Sequence, residues 1–504
     1  MTTKTTTRAP KTPSENPATH FDVVIVGAGL SGIGAACYLQ QHCPSKSFTL
    51  LEARENFGGT WDLFRYPGVR SDSDMQTLGF SFKPWTSDKS IADGADILEY
   101  IQETAAEFDV ERRIKYHHKL VRAKWDSGEA RWGLEIETKD GRTRYTCAFL
   151  YMCSGYYDYD EGYTPQWQNV EAFKGRVVHP QAWSEDISVR GQNVVVIGSG
   201  ATAITLVPEL AKEAAHVTML QRSPTYIAAM PAEDAWAKRL HRTLPHTVAH
   251  QLTRWKNLLY SMYVFKMARW QPEMVKREMV KEVQKELGSD YDVETHFTPH
   301  YNPSDQQLCL APDGDFFETI KSGQASVVTD EIDTFTETGL KLKSGEQLDA
   351  DIIVTATGLK LKLVGGIKLF VDEAPIEMSE RLAYKGAMYS GIPNFATAVG
   401  YTNASWTLKC ELISGFVCRL LTYMDKHGYA VCTPQRPGAS VQERPAIDLS
   451  SGYIRRSSHL LPRQGGAKPW VIHQNYFQDI TAFRYSSLED GALQFRRVTR
   501  DKAA

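Results

Sequence analysis

Three unbroken apolar runs of strand length divide the chain, and each opens directly into a turn of small residues. FDVVIV, residues 21–26, is followed by Gly27-Ala28-Gly29-Leu30-Ser31-Gly32, a helical pattern through Gln41, and a second apolar run ending in LLE at Glu52. NVVVI, residues 193–197, leads into Gly198-Ser199-Gly200-Ala201-Thr202-Ala203, a helix through about Glu213, and strand residues 216–220. DIIVTATG, residues 351–358, is a third apolar strand with a small-residue turn. Short continuous apolar runs are what strands buried on both faces require. Strand, glycine turn and helix in that order, twice, predict an α/β fold with two Rossmann-type dinucleotide-binding domains. Between the second unit and the third run, residues 232–287 carry a helical pattern rich in Trp, Tyr and Met, read as a helical insertion.

A lone GxGxxG is a weak signal, but between a buried strand and a helix it becomes specific. Gly27 permits the tight turn, Gly29 lets backbone approach a pyrophosphate, and Gly32 lets helix and strand pack closely. Glu52 is placed to accept hydrogen bonds from ribose hydroxyls, and its charge would repel a 2′-phosphate. The first site therefore suits FAD or NAD and not NADPH. In the second unit the corresponding strand ends in Gln221-Arg222-Ser223, with no acid. A planar guanidinium with paired donors, beside a hydroxyl, suits a 2′-phosphate; the plainer reading of Arg222 is a solvated surface charge. FAD at the first turn and NADPH at the second is the plan of a flavin oxidoreductase. The third turn would bring the chain back to the flavin.

At 504 residues, about three domains are expected. The pattern gives a disordered tail at 1–19, FAD-binding segments at 20–155 and 356–504, NADPH-binding segments at 156–230 and 301–355, and the insertion at 231–300. The tail is rich in Thr, Pro and Lys and lacks the apolar core of a secretory signal. A net charge of −3 gives no reason to expect nucleic acid or an anionic membrane as partner. Eight cysteines form no CxxC pair and no zinc-like cluster, which points to reduced thiols in a cytoplasm. Cys37 and Cys43, six positions apart and straddling the end of the first helix, face different ways, so the redox pair of a disulfide reductase is missing. What remains is a flavin that meets dioxygen. No apolar run is long enough to span a bilayer. WKNLLYSMYVFKMARW, residues 255–270, is apolar enough to suggest a membrane-surface helix. Its interspersed charges favour a helix that buries these rings against the NADPH domain and walls the substrate pocket.

Immediately before the second unit stands FKGRVVHPQAW, residues 173–183. Phe173, Gly175, His179 and Trp183 fit FxGxxxHxxxW, the fingerprint of the type I Baeyer–Villiger monooxygenases, which the chain resembles. Tryptophan at the last position separates this family from related N-hydroxylating and flavin-containing monooxygenases; Ser184 departs from the usual Pro or Asp. A second motif of the family is matched by Gly59-Thr60-Trp61, Tyr66-Pro67-Gly68 and Asp72. RYPGVRSDSDM, SGYYDYDEGY, QRSPTYI and GYTNASWTLK are similar to its ethionamide monooxygenase branch. The resemblance runs from about residue 20 to the C-terminus. It implies that His179 shapes an interdomain link and is not a base in the chemistry. A histidine between Val178 and Pro180 in a linker points the same way, as a hydrogen-bonded structural residue.

The resemblance implies oxygen insertion into ketones to give esters or lactones, with thioethers as further substrates, using FAD, NADPH and dioxygen. It assigns Ser31, Glu52, Thr60, Trp61, Asp62 and Asp72 to FAD. It assigns Gly198, Ser199, Gly200, Ala201, Thr202, Ala203 and Ile204, with Arg222 and Ser223, to NADP, and sets Arg70 and Ser71 beside it. Asp72 aligns with the acid that positions a cation beside the reacting oxygen, although SDSDM also has the composition of a helix N-cap. The cation itself is replaced. Where the family reads NPxDQRLCL, this chain reads NPSDQQLCL, with Gln307 at the arginine position. Ketone activity is expected to be impaired, and the rival expectation is a flavoprotein that oxidises NADPH to peroxide without productive oxygenation.

Overall fold

The computed structural model describes residues 18–306, 308–438, 441–447 and 452–498. Nearly all of the expected tail, and Gln307, lie outside the described residues. Two sheets organise the molecule. In the first, the strand Thr19–Val26, buried from Val23 onward, runs parallel to Phe48–Leu51 on one side and to Gly141–Met152 on the other. Far along the chain, Phe395–Thr397 returns to pair in parallel with residues 150–152. This sheet is therefore built from both ends of the chain. Antiparallel strands Lys119–Asp126 and Arg131–Thr138 extend it, and Ile114–Lys115, Lys368–Val371 and Ala374–Pro375 bring it to nine members.

The second sheet has five parallel strands, in the order Ala325–Thr329, His216–Gln221, Asn193–Ile197, Ile352–Thr355 and Arg176–Val178. Its central strand is sealed on both faces, as the NVVVI run requires. A two-stranded ribbon, Tyr157–Gly162 against Leu359–Leu361, carries the chain between the sheets in both directions.

The fingerprint is not a free connection. Its middle, Arg176–Val178, is the edge strand of the second sheet. Phe173 packs edge-on against Phe335, and a Cβ at Gly175 would lie 2.3 Å from the Asp351 carbonyl oxygen. Sequence spacing placed the segment between the domains; the pairing with Ile352–Thr355 draws it into one of them.

The insertion forms helices Ala235–Thr243, His246–Trp270, Pro272–Leu287 and Val293–Phe297. The expectation that the long helix packs on the NADPH-side sheet is corrected. Leu258 belongs to the core of the first sheet. Buried Arg254 donates to the carbonyls of Gln76 (2.9 Å) and Gly79 (2.7 Å) and pairs with Glu411 at 2.7 Å. The next helix, through Val283 and Leu287, belongs to the second core. Several aromatic rings expected to be buried are not: Trp255, Tyr263 and Trp270 are exposed. Among the described residues, no helix is long and apolar enough to cross a membrane.

Candidate active site

Both glycine turns open onto a cleft of about 2170 Å³. At the first, Gly27 adopts φ 100°, and a Cβ there would sit 2.6 Å from the Cys153 carbonyl oxygen. Gly29 meets Gly59 backbone to backbone, and a Cβ on Gly59 would come within 2.9 Å of the Gly29 Cα. A side chain at Gly27 or Gly59 would collide with neighbouring backbone, which keeps the turn tight. Gly29 also precedes the helix Leu30–His42 without a side-chain cap, so its first N–H groups remain available to an anion. Glu52 lines the cleft and is buried. Its carboxylate accepts from the backbone N–H groups of Ala28 and Arg54, each at 3.0 Å, while burial raises its pKa.

Ser31, Thr60 and Trp61 also line the cleft. Ser31 Oγ accepts from Trp406 Nε1 at 2.9 Å and donates to Cys410 Sγ at 3.4 Å, fastening the first turn to the helix Trp406–His427. Four residues singled out from the sequence lie behind the lining. Gly32 closes the turn on itself, since a Cβ there would collide with the Gly27 oxygen at 1.9 Å. Asp62 is buried between Arg54 (2.8 Å) and Arg65 (2.7 Å). Ala203 and Ile204 are packed into the second core.

At the second turn, Gly198 adopts φ 136° against the Ala356 carbonyl, and a Cβ on Gly200 would meet nothing within 4 Å. The helix Ala201–Ala211 starts there, again uncapped by a side chain. Ser199 Oγ donates to the Ser223 carbonyl at 3.1 Å, and Arg222 is exposed toward the cleft. Sequence reading missed two acids at this corner, Asp330 and Glu331. Glu331 is offset by Lys343, whose ammonium holds its pKa below the usual carboxylate range.

Asp72 is exposed on the cleft wall. The capping role belongs to Asp74, whose carboxylate accepts from Thr77 N at 3.0 Å at the head of the helix Met75–Leu78. Ser71 is buried beside it, donating to the Ser73 carbonyl at 2.5 Å. Arg70, on the cleft wall, is held by Asp315 at 2.5 Å. Leu308 and Gln306, the neighbours of Gln307, line the cleft.

His179 is not in the lining. Its Nδ1 accepts from Gln181 N at 3.2 Å, and its Nε2 faces the Gly358 carbonyl at 3.3 Å. A Cβ on Gly162 would overlap the imidazole, so the ring is clamped against the ribbon joining the sheets. Burial lowers its pKa and keeps it neutral.

The sequence offered no signal for two further features. Lys409, only 2% exposed, pairs with Asp479 at 3.2 Å beneath Tyr401. Arg456 lies over the Tyr163 ring at 3.5 Å, on the cleft wall. These partners are remote in sequence and meet only after folding. All eight cysteines are free and buried.

Two dinucleotide folds that present their glycine turns to one cleft define an oxidoreductase of the two-nucleotide flavoprotein class. Residues 21–381 match the flavin-binding monooxygenase-like family, and the chain belongs to that family. The FAD-containing monooxygenase EthA of Mycobacterium tuberculosis is 52% identical over 479 residues, covering 95% of this chain and 98% of the relative. EthA of Mycolicibacterium smegmatis is 50% identical over 486 residues, covering 96% and 98%. Among solved structures, cyclohexanone monooxygenase from Rhodococcus sp. Phi1 bound to NADP+ superposes with a TM-score of 0.75 at 19% identity, over 95% of this chain and all of that one. Oxidized steroid monooxygenase bound to NADP gives 0.73 at 22% identity, over 95% and 100%. At such identities the superpositions establish the fold.

Proposed function

We propose that the protein is an NADPH- and dioxygen-dependent FAD monooxygenase of Baeyer–Villiger type, acting on small ketones and thioethers. The observation that carries this is the pair of glycine turns sharing one cleft with Asp72 on its wall. The residues present fit both groups. Gly27, Gly29 and Gly59 leave bare backbone where a pyrophosphate would lie, and the uncapped helix at Gly29 supplies N–H donors. Each Glu52 oxygen already takes one backbone donor and keeps a lone pair for a ribose hydroxyl. Ser31, Thr60 and Trp61 line the same end, while Gly32 and Asp62 act indirectly by fixing the turn and Arg54. Gly198, Ser199, Gly200, Ala201 and Thr202 would hold the NADPH pyrophosphate, with Ala203 and Ile204 supporting the helix from below. Arg222 and Ser223 would hold the 2′-phosphate.

When bound, FAD takes a hydride from NADPH and activates dioxygen. The chain's own task is to exclude water, hold the nicotinamide nucleotide in place and stabilise developing negative charge on oxygen. Asp72 can position a cation from the cleft wall, but the family arginine is replaced by Gln307. A glutamine can donate a hydrogen bond there, yet it adds no charge. Two other cations of the cleft lining are engaged: Arg70 by Asp315 and Lys409 by Asp479. That engagement supports the finer reading, in which ketone oxidation is weak, thioethers are preferred and much NADPH flux ends as hydrogen peroxide.

The cofactor assignment is tested by spectroscopy. The purified protein reconstituted with FAD should show oxidised-flavin bands that bleach anaerobically with NADPH. Absence of bound flavin after reconstitution would refute it.

A further inference from the structure

The long insertion helix has two functional faces, and only one belongs to the cleft. Asn257, Tyr260, Ser261, Val264 and Ala268 line the cavity. On the opposite side, Val248, Leu252, Trp255, Leu259, Tyr263 and Trp270 are each at least 39% exposed. With exposed Lys266, their spacing of three and four residues places all of them on one face of the helix. From 248 to 270 the stripe is about 33 Å long. Phe477, itself 44% exposed, stacks on Trp255 with ring centroids 6.0 Å apart and widens the patch. A contiguous apolar surface of this kind marks an interaction site.

Charge selects the occupant. Residues 235–271 contain seven Lys or Arg and no Asp or Glu, in a chain whose net charge is −3; three of the seven, Lys238, Arg254 and Lys256, are ion-paired with Glu233, Glu411 and Asp234. Arg239, Arg242 and Lys266 are exposed. Two copies meeting through this face would bring like charges together. An acidic bilayer surface would attract them, and Trp and Tyr prefer the headgroup level. The local run differs in sign from the whole-chain charge. We propose that the face formed by the helices Ala235–Thr243 and His246–Trp270 docks the protein on an anionic lipid surface, with the long helix lying flat in the interface. Docking sets the cleft one helix thickness from the bilayer, where apolar substrates are concentrated. The proposal is independent of the reaction that the cleft performs.

Co-sedimentation of the flavin-loaded full chain with phosphatidylcholine vesicles, with and without phosphatidylglycerol, tests it. Binding should require phosphatidylglycerol and weaken as salt rises. Leu252→Glu with Leu259→Glu should lower the partition coefficient by more than about tenfold. Flavin absorbance and NADPH oxidation in solution should be unchanged. Arg239→Gln and Arg242→Gln should each cost about fivefold. Because these two positions are exposed, they carry the test even if the double leucine variant fails to fold. Failure to bind anionic vesicles, or binding that none of these substitutions alters, would overturn the proposal. So would light scattering that shows a dimer dissolved by the leucine substitutions, which would assign the stripe to a second copy.

Discussion

At the residue scale, the cleft separates groups that recognise from groups that only support. Arg222 is proposed to recognise: it is exposed at the end of the strand His216–Gln221 with Ser223 beside it. Arg222→Ala should raise the apparent KM for NADPH and leave that for NADH nearly unchanged. Equal losses with both nucleotides would refute a role toward the 2′-phosphate. On the proposed reading, Gln307 matters by its lack of charge. A full positive charge about 4 Å from a developing oxyanion is worth about 4 kcal/mol at an effective dielectric of about 20. That corresponds to roughly a thousandfold in rate. Gln307→Arg should therefore raise ester formation from ketones, by up to roughly a thousandfold, and lower the share of NADPH lost as hydrogen peroxide. If the protein as it stands oxidises ketones briskly and Gln307→Arg adds nothing, Arg70 or Lys409 must leave its carboxylate partner and supply the charge. Asp72 and Gln307 could be singled out because their motifs are local. Lys409 with Asp479, and Arg456 over Tyr163, could not, because long-range folding alone brings them together.

At the element scale, local pattern specified strand, turn and helix well and contact partners poorly. The runs FDVVIV and NVVVI became central strands because residues apolar on both faces have nowhere else to go. The fingerprint was harder, since its short RVV pairs at an edge that no local signal reveals. The long helix was recognisable as a helix, but its docking rests on polar residues spread along it. His250 shows the consequence. It is buried, its Nδ1 lies 2.7 Å from Gln76 Oε1, and burial with the nearby Arg254 charge lowers its pKa to about 4. A histidine held neutral in the fold binds its proton more readily when unfolded. Its contribution is present above about pH 6.5 and is lost as pH falls toward about 4. From about pH 6.5 to about 5, unfolding free energy should drop by about 2 kcal/mol through this group alone. Comparing urea unfolding of the protein and His250→Gln across that interval checks this. A pH slope identical in both would contradict it.

At the scale of the whole molecule, the two sheets meet through the ribbon Tyr157–Gly162 and Leu359–Leu361, with His179 clamped against it. The three apolar runs announced this architecture, because each carries its own glycine turn. The path of the C-terminal segment back to the first sheet had no comparable mark beyond the small-residue turn after residue 355. The account's central claim is that this paired fold oxygenates an organic substrate at the expense of NADPH. The most direct measurement supplies 18O-labelled dioxygen and NADPH to the FAD-loaded protein with a thioether and, separately, a ketone, and scores products by mass. The account predicts labelled sulfoxide in clear excess over labelled ester, with the remaining NADPH recovered as hydrogen peroxide. Stoichiometric hydrogen peroxide with no labelled product from either substrate would contradict it.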